Sequence, residues 1–144
     1  MKEEEKQITA VELDIEAKTE RLPELLSLIE EQLEGSDCPM KARMQIAVAA
    51  EEIFVNIASY AYAPDTGRAR IRLELSGEEK CLTLTFADSG RPFDPTEKSD
   101  PDLSLSAEER SIGGLGIYMT KKLMDKVTYA FRDGMNVLTL QKNW

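Results

Sequence analysis

Alternation of apolar and polar residues dominates the middle of this chain. Leu82, Leu84 and Phe86 alternate with Thr83, Thr85 and Ala87, the period-two pattern of a strand with one face buried. Ile71, Leu73 and Leu75 repeat it upstream, and Ser76-Gly77-Glu78-Glu79 between the two runs predicts a hairpin. A second hairpin is expected from Val127 to Phe131 and Val137 to Leu140, joined at Asp133-Gly134, a dipeptide suited to a tight turn. A first strand is expected near Ile8 to Ile15, with Val11, Leu13 and Ile15 towards one side. Elsewhere the period is helical. Leu22, Leu25, Leu26, Ile29 and Leu33 form one stripe of a helix from about Arg21 to Leu33, stopped by Gly35. A long helix runs from about Met40 to Tyr62, ending before Pro64, and a third from Gly114 to about Met124. From Ile46 to Ala63 the long helix is apolar almost all round, which predicts burial on most sides. Helices gathered between hairpin-connected strands predict an α+β two-layer sandwich, one mixed β-sheet covered on one face by helices.

The polar residues that interrupt these patterns are the candidates for chemistry. Asp88 continues the Leu82–Leu84–Phe86 face and therefore points into the core. A carboxylate there needs a donor, because an unpaired buried charge is costly. The exocyclic amine of a purine is one such group, and an ordinary Asp-Ser-Gly turn is the plainer reading. Downstream, Ser111-Ile112-Gly113-Gly114-Leu115-Gly116-Ile117 opens a helix. Its glycines allow close backbone approach where free N–H groups and the helix dipole favour phosphate, although such a run also serves as a flexible entry loop. Glu52 and Asn56, four residues apart, share one face of the long helix. The alternative is that Glu51 and Glu52 form a solvated edge and Asn56 bonds backbone. Between the glycine-marked loops, Asp94 to Ile112 is rich in Pro, Asp, Glu and Ser, with Leu103 and Leu105 its only large aliphatics before the terminal Ile112. It has little to bury, and is expected to be a lid whose order depends on nucleotide.

Glu52-x-x-x-Asn56 on a helix, Asp88-x-Gly90 after a strand and Gly114-x-Gly116 opening a helix resemble the N, G1 and G2 boxes of the GHKL (histidine-kinase-like) ATPase superfamily. Asp88 to Pro95 followed by Ile112 to Gly116 most resembles its branch of anti-sigma-factor serine/threonine kinases. The resemblance spans about Val11 to Lys142. It implies that Glu52 is the general base and that Asn56 is a ligand of the Mg²⁺ bridging the ATP phosphates. By the same resemblance Asp88 accepts from the adenine amine and Gly90 leaves room for the ring, while Gly113, Gly114, Leu115 and Gly116 belong to the ATP-binding loop around the phosphates. It further implies a sigma factor and an anti-anti-sigma antagonist as partners, the antagonist being the phosphorylated substrate, and a homodimer. In three places this chain departs from the pattern. Glu24, with Arg21 nearby, stands where relatives often carry an arginine on the first helix; Met135-Asn136-Val137 stands at the Gly-Thr-Thr opening of the last strand; Tyr60 replaces a histidine after the N box. Without that arginine the alternative is an ATP-dependent partner-binding switch with little or no kinase activity.

Composition narrows the field. The 144 residues suit a single domain, 1–144, able to bury a core. A formal net charge of -9 argues against nucleic acid, whose phosphates demand a basic surface, and suits a basic protein partner. The chain contains no histidine, which excludes a Ser-His-Asp triad, an imidazole metal site and a phosphohistidine relay within it. Cys38 and Cys81 are far apart in sequence and lack metal-ligand spacing, so free thiols are expected. With no long apolar run and a charged segment from Met1 to Lys6, no membrane association is expected and the location is cytoplasmic.

Overall fold

The computed structural model describes residues 8–97 and 114–144. Among them five strands form one sheet and three α-helices form a layer on it. Strand β1 (Ile8–Glu16) leads through a 3-10 turn into α1 (Leu22–Glu34) and α2 (Met40–Asn56). The hairpin β2 (Arg68–Ser76) and β3 (Cys81–Asp88) follows, then α3 (Gly114–Leu123) and the hairpin β4 (Lys126–Arg132) and β5 (Met135–Asn143). Asp133 and Gly134 have φ of 54° and 77°, so the second hairpin closes on the doubly left-handed turn its Asp-Gly dipeptide foretells.

The strand order is β1-β2-β3-β5-β4 and every neighbouring pair is antiparallel, which corrects the expectation of a mixed sheet. The crossover through α3 does join two strands that run the same way, β3 and β4. It delivers β4 to the far edge, and the tight hairpin folds β5 back into the gap between them. No parallel contact forms.

Register arranges the helix-facing side of the sheet in rows. Val11, Leu73, Leu84, Leu140 and Val127 lie in one row, and Leu13, Ile71, Phe86, Leu138 and Tyr129 in the next. Leu25, Ile29 and Leu33 of α1, with Ala42, Ile46, Ala49, Ala50, Ile53 and Phe54 of α2, close over these rows and bury their centre, leaving Val11, Leu13, Val127 and Tyr129 at the edges half-buried. A fully buried side chain of this size contributes about 1.5–3 kcal/mol, so these two rows and their cover hold the layers together.

Within Ile46–Ala63, the stretch expected to be buried on most sides, Val48 is exposed, and with Met40 and Met44 ahead of that stretch it makes one outward stripe. Met40, Met44 and Val48, at i, i+4 and i+8, are 66%, 61% and 44% exposed. The helical layer is one helix thick and α2 packs between α1 and α3 over the sheet, so its outer stripe faces solvent. It also ends sooner: after Asn56 the backbone widens into a π-helical turn, Ile57–Ala61. Tyr62 then fixes the corner, its hydroxyl donating to the Arg68 carbonyl (2.6 Å) and accepting from the Ser89 N–H (2.8 Å).

At the other end of the sheet a polar clasp joins three segments. The Trp144 indole N–H donates to Asp37 Oδ1 (3.0 Å), Lys80 Nζ lies 3.2 Å from Asp37 Oδ2, and the Trp144 N–H donates to the Lys80 carbonyl (3.0 Å). These two donors, the indole first, hold the Asp37 carboxyl below the ordinary Asp range. Cys38 beside it is free and buried, and burial pushes its thiol up, away from the reactive thiolate.

Candidate functional site

One row beyond Leu13–Ile71–Phe86–Leu138–Tyr129, the sheet changes character. The next positions across it are Ile15, Ala69, Asp88, Asn136 and Phe131, so two polar residues sit side by side on the core face. Both are buried. The helices do not close over this row. A cavity of about 520 Å³ opens between it, the end of α2 and the segment following β3. Ile53, Ile57, Phe86, Ile117 and Leu138 make most of it apolar, and Asn56, Asp88 and Asn136 are polar residues of its wall, with Tyr60, Arg91 and Tyr129 also lining it. This size and make-up suit a small organic ligand held by a few placed polar atoms.

The alternation along β3 turns Asp88 inward, as expected, and the structure adds its partners. Oδ1 accepts from the Gly90 N–H (2.9 Å) and from Asn136 Nδ2 (3.0 Å). Oδ2 accepts no hydrogen bond among the described residues and is not sealed from the cavity. Asn56, the last residue of α2, lines the opposite layer; its side-chain amide is half-buried and likewise unpartnered. Glu52, one helical turn earlier, is half-buried and free of ion pairs, but it is not part of the cavity wall.

Gly90 answers to the protein itself. A Cβ there would stand 2.3 Å from the Ala61 carbonyl oxygen, which also accepts from the Arg91 N–H (3.1 Å). The exit of β3 is thus drawn against the π-helical turn, and any side chain at 90 would force the two apart. Gly114, Leu115 and Gly116 form the first turn of α3, and Ile117 immediately after them lines the cavity. Gly113 and the expected lid beyond Glu97 lie outside the described residues. The start of that segment is ordered locally, with Asp94 Oδ1 accepting from the Thr96 N–H (2.8 Å) ahead of the 3-10 turn Pro95–Glu97.

Asn136 is the residue that sequence reasoning passed over. It was visible there as a departure from the Gly-Thr-Thr pattern, and the alternation Asn136, Leu138, Leu140 already marks it as inward-facing. Its neighbour across the sheet was not visible. Glu24 in the first turn of α1 and Arg21 just before that helix pair at 3.1 Å and lie outside the cavity wall. Tyr60, 47% exposed, reaches the cavity rim in the place of the family's histidine.

The sequence profile of the histidine kinase-like ATPase domain matches residues 15–142. The serine/threonine-protein kinase BtrW of Bordetella bronchiseptica is 34% identical over 100 residues, covering 69% of this chain and 70% of that protein. The serine-protein kinase RsbW of Bacillus licheniformis is 28% identical over 131 residues, covering 85% and 81%. Among solved structures, the RsbU and RsbW domains of Rv1364c from Mycobacterium tuberculosis superpose with a TM-score of 0.65 at 14% identity, covering 94% of this chain and 32% of that one. That likeness speaks for the fold. No helix among the described residues is long and apolar enough to cross a membrane. The profile spans Asn56, the polar pair Asp88 and Asn136 and the glycine start of α3, and so this chain belongs to the histidine kinase-like ATPase domain family, in its branch of anti-sigma-factor serine/threonine kinases.

Proposed function

We propose that this chain binds ATP with Mg²⁺, phosphorylates a serine or threonine of a small anti-anti-sigma antagonist, sequesters a sigma factor, and does so as a cytoplasmic homodimer. The observation that carries the reading is the pair of unpartnered polar groups, Asp88 Oδ2 from the sheet and the Asn56 amide from the helices, presented to one apolar cavity beside the glycine start of α3. An aromatic base with one amine fits a cavity of this kind, and the named relatives are protein kinases.

ATP when bound supplies the transferable phosphoryl group, and Mg²⁺ the charge that draws its oxygens together. Asp88 orients the base by accepting its amine on Oδ2. Among the described residues no three acidic or cysteine side chains gather, and the Asn56 side-chain oxygen would be the protein's ligand to a Mg²⁺ that keeps most of its coordination for phosphate and water. The N–H groups at the start of α3 face negative charge favourably. Glu52 has no ion pair to surrender before it takes the proton of an attacking hydroxyl.

The test is transfer of labelled γ-phosphate to a candidate antagonist. Glu52→Gln should retain ATP affinity while transfer falls on the order of a hundred-fold or more, the reach of general-base catalysis. Equal loss of binding and transfer would assign Glu52 to the metal shell or the scaffold. A second reading, an ATP-dependent switch that grips partners and transfers little, draws on Arg21, whose charge at the start of α1 is taken up by Glu24 (3.1 Å) and Glu16 (3.7 Å). Tight ATP binding with no transfer to any antagonist would select it.

A further inference from the structure

The structure assigns to Asn136 a role in choosing the base: it is a positioning residue that aims the Asp88 carboxylate, and it rests on the adenine reading of the cavity. Its amide is saturated. Nδ2 donates to Asp88 Oδ1 (3.0 Å) and to the Arg91 carbonyl (3.0 Å), with the Gly90 carbonyl at 3.4 Å, while Oδ1 accepts from the Phe93 N–H (3.1 Å) and from the Tyr129 hydroxyl. A side-chain amide has two donors and two lone pairs, and all are committed within the protein. The orientation of the amide is fixed by chemistry, because a backbone N–H can only donate to Oδ1 and a carboxylate can only accept from Nδ2.

Two consequences follow. Asn136 has no hydrogen bond left for a ligand, although it lines the cavity, so any effect it has on base recognition passes through its partners. Those partners are the two walls that an aromatic base must meet: the carboxylate of β3, and the Arg91–Phe93 backbone that runs over the cavity. By holding Oδ1 together with the Gly90 N–H, Asn136 leaves Oδ2 as the single open acceptor and fixes where it points. Tyr129, from the edge strand β4, stiffens the arrangement from the other side. Threonine has one donor, so it cannot hold Asp88 and the Arg91 carbonyl at once.

The experiment is calorimetric titration of Mg²⁺-ATP and of Mg²⁺-purine riboside triphosphate, which carries hydrogen in place of the amine. The wild type should prefer ATP by about tenfold or more. Asn136→Ala should lower ATP affinity about tenfold and leave the amine-free analogue nearly unchanged, so that the preference collapses. Tyr129→Phe, a milder change that keeps the ring, should reduce the preference about threefold. Equal weakening of both nucleotides in a folded variant would make Asn136 a scaffold residue and overturn the proposal, as would an unaltered preference. If Asn136→Ala fails to fold, Tyr129→Phe decides by the same ratio. A wild type indifferent to the amine, or one that binds neither nucleotide, would overturn the adenine reading itself and this inference with it.

Discussion

Two rows of one sheet differ in what lies over them. Leu73, Leu84 and Leu140 lie shoulder to shoulder, fully buried, with helices pressed on them; Asp88 and Asn136, two rows along β3 and β5, are also buried but face a cavity. The backbone is the same in both places, with the same antiparallel ladder and the same strands. Side chains alone convert an apolar row into a polar one that borders a cavity. The polar row is tolerable because its buried groups satisfy one another, Asp88 Oδ1 and the whole Asn136 amide being bonded, and one oxygen is left over for a ligand.

Substitutions in the two rows should therefore fail in different currencies. The largest effect expected is at the apolar row. Leu84→Ala should lower unfolding free energy in urea by about 2–5 kcal/mol, by lost burial and the cavity left behind, while the folded fraction keeps its ATP affinity. A variant that loses affinity in proportion to stability would erase the distinction between the rows. Next, Asp88→Asn should weaken ATP binding roughly ten- to a hundred-fold by calorimetry and shift urea stability by no more than about 1 kcal/mol, because an amide oxygen can still accept from Gly90 and Asn136. Unchanged affinity would dismiss Asp88 as the reader of the base. The smallest effect belongs to the clasp at the far end of the sheet. Asp37 has its carboxyl lowered by the Trp144 indole and the Lys80 ammonium, so its contribution is present above the ordinary Asp range and is lost as the pH falls through the lowered value. The stability gap between wild type and Asp37→Asn should hold from pH 7 to about pH 4 and close below it. A gap that widened on acidification would show that the clasp is not held by the ionised carboxylate. Because Asp37 is exposed, the gap should be slight at every pH.

How much of this was legible beforehand follows from the range of the forces involved. Local patterns carried the strands, both hairpins, the stop at Gly35 and the inward turn of Asp88, because each depends on a few adjacent residues and on the period of the backbone. Glu52 and Asn56 were recognisable as a pair on one helix face for the same reason. Order along the chain also carried the family, since three short motifs in sequence survive where their surroundings change. Antiparallel pairing of β3 with β5 was not legible, and a mixed sheet was expected, because hydrophobic alternation is blind to strand direction. The exposure of Val48, inside the stretch expected to be buried, was missed for a related reason: apolarity says that a face can be buried, and only the thickness of the helical layer decides whether anything lies there to bury it.

The chain by itself determined which residues turn inward, where the backbone must turn, and that a carboxylate on a core face would need a partner. Tertiary structure alone decided which partner. Asp88 and Asn136 are separated by 48 positions, and nothing local joins them; the register of β3 against β5 places them opposite one another, and that register is set by the summed packing of the apolar rows behind them. Gly90 shows the same division. Its glycine is written in the sequence, but the reason a side chain is barred there is the Ala61 carbonyl, brought against it from another element by the fold. Contacts between distant segments are decided by the packing of the whole, because each is worth little until the others have paid the entropy of bringing the chain together.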